Sequence, residues 1–98
     1  MFVNIIKTYR DVVAICDSEL IGKKFEEGNF QLDVKESFFK GEETSEEKLR
    51  EILNDLCKED ATFNIVGKES VRIALEEGII PEEAIKKIQG VPFALVLL

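Results

Sequence analysis

The stretch from Thr44 to Cys57 has one stable way to fold. Apolar side chains recur at Leu49, Ile52, Leu53, Leu56 and Cys57, the spacing that lays one stripe along an α-helix. Thr44-Ser45-Glu46-Glu47 ahead of it matches a capping box, in which the Thr hydroxyl takes the third helical amide and Glu47 reaches back. Acids at this end also suit the helix dipole. A lone amphipathic helix of this length is marginal in water, so its stripe demands a partner surface that the rest of the chain must supply.

That surface reads as a sheet. Phe2 to Tyr9 and Val12 to Cys16 are two strands joined at Arg10-Asp11 as a hairpin. Asp17 to Gly22 is a single helical turn, capped by Asp17 and ended by Gly22. Lys23 to Glu26 is a short extended piece, and Phe30 to Val34 alternates as a half-buried strand. Glu36 to Glu43 is a loop carrying Phe38-Phe39. Beyond the helix, Thr62 to Val66 is a strand. Lys68 to Glu77 is a second helix with Val71, Ala74 and Leu75 inward, ended by Gly78. Pro81 to Ala84 is a short helix with Pro at its first position. Ile85 to Ile88 is an edge strand, and Val91 to Leu97 is a strand buried on both faces. Hairpins early and helices later give an α+β fold: a small mixed, mostly antiparallel sheet with two main helices packed on it. Residues 1–98 read as a single compact domain.

Charge narrows the function. The chain carries a net charge of −7, with 15 Glu, 10 Lys, 2 Gln and no His. Residues 36–60 hold nine acids against four bases, so the acidity is local. A surface that coats nucleic acid along its whole length is excluded, because phosphate binding needs Lys and Arg to release counterions. The Glu/Lys-rich, Gln-poor composition is that of proteins from hot environments, which makes a thermophile the expected source. The longest apolar run, Val91 to Leu98, is too short to span a bilayer. The first residues lack the pattern of a signal peptide. No membrane association and a cytoplasmic location are therefore expected.

The absence of His removes Ser-His-Asp and Cys-His catalysis and the commonest metal ligand. Cys16 and Cys57 form no CxxC pair and sit in apolar settings, where a thiol packs and stays inert. Glu42-Glu43, Glu46-Glu47, Glu76-Glu77 and Glu82-Glu83 are neighbours in sequence, and neighbours on a helix do not face each other. No catalytic residue, metal site or cofactor is expected, and an enzyme is disfavoured. Two constellations remain. In the strand–Gly–helix unit Asn64 to Val71, the helix start after Gly67 offers backbone amides for an anion, assisted by Lys68 and Ser70; relief of a tight turn also explains Gly67. Lys23, Lys24, Arg72, Lys86 and Lys87, with Lys68, form a basic patch if the fold gathers them, and Phe38 and Phe39 are the aromatic candidates with loop context, read equally well as core plugs.

Several segments resemble an archaeal family, the domain of unknown function 424. They are Ala14-Ile15-Cys16-Asp17 with Leu20-Ile21-Gly22-Lys23; Asn64-Ile65-Val66-Gly67 with Ser70-Val71 and Ala74; Gly78-Ile79-Ile80; and Ile88-Gln89-Gly90-Val91-Pro92. A His often follows the Val-Pro pair in that family, where this chain has Phe93. The resemblance implies an archaeal cytoplasmic domain, associated by gene context with translation components, and implies no activity. The expectation is a non-catalytic binding module with a protein or RNA partner from the translation machinery. The alternatives are an anion or small-molecule binding domain, enzymatic or not, using the helix start after Gly67, and a homodimer built through an edge strand.

Overall fold

The computed structural model describes residues 1–56 and 60–97. Cys57, the foot of the helical stripe, and Leu98 lie outside them. The fold is α+β, with a mixed six-stranded sheet, a separate two-stranded hairpin and helices. In chain order the elements are β1 (Phe2–Ile6), β2 (Asp11–Cys16), β3 (Lys24–Glu27), β4 (Phe30–Asp33), α1 (Glu36–Phe39), β5 (Glu42–Glu43), α2 (Glu46–Leu56), β6 (Ala61–Val66), α3 (Lys68–Glu76), β7 (Lys86–Ile88) and β8 (Val91–Leu97). The sheet order is β5-β1-β2-β6-β8-β7. Its pairs are antiparallel except β2 with β6, which run parallel with Cys16 opposite Val66.

The sheet is covered on both faces. On one, α2 and α3 close a core of Leu49, Leu53, Val71, Ile73 and Ala74 over Val13, Ile15, Phe63 and Ile65. On the other, the β3–β4 hairpin and α1 bring Val34 and Phe39 onto Ala14, Cys16 and Val66. Strand β2 is buried on both sides, which explains its unbroken apolar run where a half-buried strand would alternate. Each fully buried Phe or Ile contributes about 1.5–3 kcal/mol of transfer free energy.

Several expectations need correction. β1 stops at Ile6, because the Thr8 hydroxyl bonds the Arg10 carbonyl and Lys7 pairs with Asp11 at 3.0 Å, closing the link between the strands. The cap of α2 is Ser45, whose Oγ accepts the Lys48 amide at 3.2 Å. Thr44 is buried and donates to the Glu42 carbonyl. The third helical residue is then Lys48, which has no acceptor to complete a capping box. Phe38-Phe39 belong to a helical turn, with Phe39 buried and Phe38 half-buried. Pro81 caps a 3₁₀ turn (Glu82–Ala84) from an extended conformation. Helix α3 turns Ser70, Val71, Ile73 and Ala74 inward, and Leu75 is 38% exposed. Strand β8 is not buried on both faces: Leu95 and Leu97 are 65% and 69% exposed, because the β3–β4 hairpin covers only one end of that face.

Candidate functional site

Parallel strands β2 and β6 end side by side at the centre of the sheet, and the chain leaves both at the same end. Crevices outside the carboxyl ends of parallel strands are where open sheets hold ligands. Asp17 follows β2 and Gly67 follows β6; the Asp17 amide donates to the Val66 carbonyl at 3.0 Å, and the Gly67 amide to the Pro92 carbonyl at 2.9 Å. Gly67 has φ +112°, and a Cβ there would lie 2.3 Å from the Asp17 carboxyl carbon. That close approach sets the geometry. Asp17 Oδ1 accepts the Ser70 amide at 2.8 Å and the Ser70 hydroxyl at 2.7 Å, and Oδ2 accepts the Glu69 amide at 3.1 Å. Asp17 therefore caps α3, from more than fifty residues away in sequence. It does not cap the 3₁₀ turn Ser18–Leu20 that follows it in the chain. The same bonds explain why α3 turns Ser70 inward and Leu75 out.

Beside this knot lies a crevice of about 290 Å³. Leu20, Val91 and Pro92 give it apolar walls. The acids Glu19 and Glu69 and the cation Lys68 stand exposed around it, with Asp17, 4% exposed, at its base. One oxygen of Glu69 is held by Arg72 at 2.5 Å. Among the described residues Glu19 and Lys68 make no ion pair. Cys16, next to the knot, is buried, and burial first and the Asp17 charge second push its thiol up to about 11. It stays protonated at neutral pH and is no nucleophile.

The sequence candidates separate in space. Gly67 and Ser70 are buried, and the Ser70 and Glu69 amides are bonded from within, so an external anion would have to displace a carboxylate. Lys68 stands at the crevice. Lys23 and Lys24 lie at the start of β3, where Lys24 reaches Glu26 at 4.0 Å. Arg72 is bonded to Glu46, Glu69 and Glu76 on the outer faces of α2 and α3. Lys86 and Lys87 lie in β7, at the far edge of the sheet, beside a second hollow. Sequence reasoning missed Glu19, Glu69 and the capping role of Asp17. No sequence signal marked the last, because it depends on the parallel pairing of β2 with β6.

The chain belongs to the family described as "Protein of unknown function (DUF424)", which matches residues 6–98. The segments that carry the sequence resemblance supply Asp17, Leu20, Gly67, Ser70, Val91 and Pro92, which the fold gathers at the ends of this central strand pair. No curated protein matches the chain. Among solved structures it is similar to an uncharacterized conserved protein from Methanopyrus kandleri, at 22% identity and a TM-score of 0.84, over 98% of this chain and 89% of that one. At that identity the likeness establishes the fold. No described helix is long and apolar enough to cross a membrane.

Proposed function

We propose that this protein is a non-catalytic binding module of the RNA–protein machinery of translation, and that it docks a basic protein by taking one Lys or Arg side chain into the crevice at the ends of β2 and β6. The observation that carries this reading is the pairing of an apolar-walled hollow with the carboxylates of Glu19 and Glu69, opposed by the single cation Lys68. A basic side chain lays its aliphatic stem on apolar surface and keeps its charged head at a polar rim, and a guanidinium forks a carboxylate. A hollow of about 290 Å³ lies just under the usual range for drug-sized ligands and suits one side chain. The net charge of −7 steers a basic partner toward the surface. A small anion on the amides after Gly67 has less support, since it must compete with Asp17. A cytoplasmic location goes with such a partner. The Arg–Glu network on α2 and α3 supports a thermophilic setting, because ion-pair networks gain worth as temperature rises.

Immobilised protein exposed to extract of the source cell tests the reading. Wild type should retain basic RNA-associated proteins, and a Glu19→Lys/Glu69→Lys variant of unchanged circular dichroism should lose them. Retention of the same proteins by both, or of none above a blank matrix, overturns it.

A further inference from the structure

The second hollow, of about 180 Å³, lies between the tip of the β3–β4 hairpin and strand β7. Its walls are Phe30, Ile88 and Phe93, with Lys86 and Lys87 from β7 and Glu27 from the hairpin. Three features set it apart from an ordinary surface groove.

Phe30 is 75% exposed, an unusual place for a Phe, and it is the one exposed Phe among the described residues. Lys86 is the cross-strand partner of Phe93, so its side chain rises from the same face as that half-buried ring. Among the described residues neither Lys86 nor Lys87 makes an ion pair. The acid in the hollow is already engaged: Glu27 Oε1 accepts the Gln89 amide at 3.0 Å. Gln89 also donates from Nε2 to the Glu26 carbonyl at 2.6 Å. It does so from a left-handed conformation (φ +49°), followed by Gly90 at φ +78°. A non-glycine residue persists there only when its surroundings hold it. Here the β7–β8 turn latches the hairpin tip and fixes the width of the hollow.

We propose that this hollow is a binding site for single-stranded nucleic acid, with one base stacked on Phe30 and a flanking phosphate on Lys86; Lys87, opposite Pro92, rises from the other face of the strand. An exposed ring beside an unpaired cation is the arrangement that a base and its phosphate complement. The site is small, one or two nucleotides, which reconciles it with the acidic remainder of the surface. It is independent of the crevice reading: it lies at the edge strand β7, and no residue lines both hollows.

The test is fluorescence anisotropy with labelled hexauridylate and hexathymidylate. Phe30→Ala, which removes an exposed ring and leaves the core intact, should weaken binding by roughly 5- to 100-fold. Lys86→Gln should weaken it further and flatten the slope of log K against log salt by about 0.7, one single-strand phosphate's worth. The chain contains no Trp, so Phe30→Trp adds one indole whose emission a stacked base should quench. Preference for the uridylate identifies RNA as the ligand, and parity identifies a site that reads base and phosphate alone; both support the proposal. Glu47→Gln, exposed on α2 and lining neither hollow, should leave hexanucleotide binding unchanged. Equal binding by wild type and Phe30→Ala, no binding of either strand, or displacement of both by an oligoglutamate peptide overturns it.

Discussion

Asp17 and Gly67 decide how the chain's second half sits on its first. The Asp17 carboxylate takes two amides and a hydroxyl of α3, and it fits because residue 67 has no Cβ. Gly67→Ala should therefore cost about 3 kcal/mol or more, since it adds strain at positive φ to a clash with a buried carboxylate. Gly22→Ala is the control. Gly22 also has positive φ, +80°, but open space lies where its Cβ would go, so only the backbone cost of about 1 kcal/mol applies. Urea unfolding midpoints check the pair, and equal losses at both positions contradict the capping account. The glycine itself was readable as a turn residue. That the anion at this helix start is the protein's own carboxylate was not, because only the parallel pairing of β2 with β6 brings Asp17 there.

Helices α2 and α3 are joined on their outer faces by a lattice of charge. Arg50 binds Glu46 at 2.9 Å, Glu76 at 2.6 Å and Glu77 at 2.7 Å. Arg72 binds Glu46 at 2.9 Å, Glu69 at 2.5 Å and Glu76 at 3.3 Å. Arg50 first, and Arg72 after it, hold the Glu46 and Glu76 carboxyls below the usual 4.5. A carboxyl lowered by folding adds stability that is fully present above about pH 4.5 and is lost as pH falls through the folded values. Arg50→Gln should thus lower the melting temperature at neutral pH. Its difference from wild type should shrink as pH falls below about 4.5 and as salt rises to about 1 M, where charges interact only over a short range. Melting curves followed by circular dichroism decide it, and a difference independent of both pH and salt means Arg50 acts by packing alone. The adjacent glutamates in the sequence read as solvated faces. They are exposed except for the half-buried Glu77, yet Glu46 and Glu76 each bridge two arginines from different helices, a pairing that i, i+4 spacing within one helix does not reveal.

Across the whole molecule, protection should follow the sheet order. Strands β2 and β6 lie at its centre with both neighbours bonded, while β5 and β7 close its edges with two and three residues. Amide exchange should be slowest for Val13 to Cys16 and Phe63 to Val66 and fastest for Glu42, Glu43 and Lys86 to Ile88, because local opening costs least where few bonds and little buried area are lost. Exchange of the edges as slow as the centre would show the sheet opening as one unit. The two hollows lie on elements of unlike protection by this ordering: the crevice at the ends of the central pair, and the second hollow against an edge.

What the sequence determined by itself was the set of local periods. The stripe of α2, the run of β8 and the punctuation at Gly22, Gly67, Gly78 and Gly90 place the elements, because helix and strand spacing and positive φ are properties of a few neighbouring residues. The missing histidines and the buried setting of Cys16 were legible for the same reason. The tertiary structure decided everything that depends on partners far away in the chain: which carboxylate caps α3, that Arg72 spends its charge on glutamates, that the lysines separate, and that Phe30 is the exposed ring while Phe39 is buried. A side chain's chemistry is fixed by its type, but whether it faces solvent, a counter-charge or the core is fixed by residues tens of positions distant.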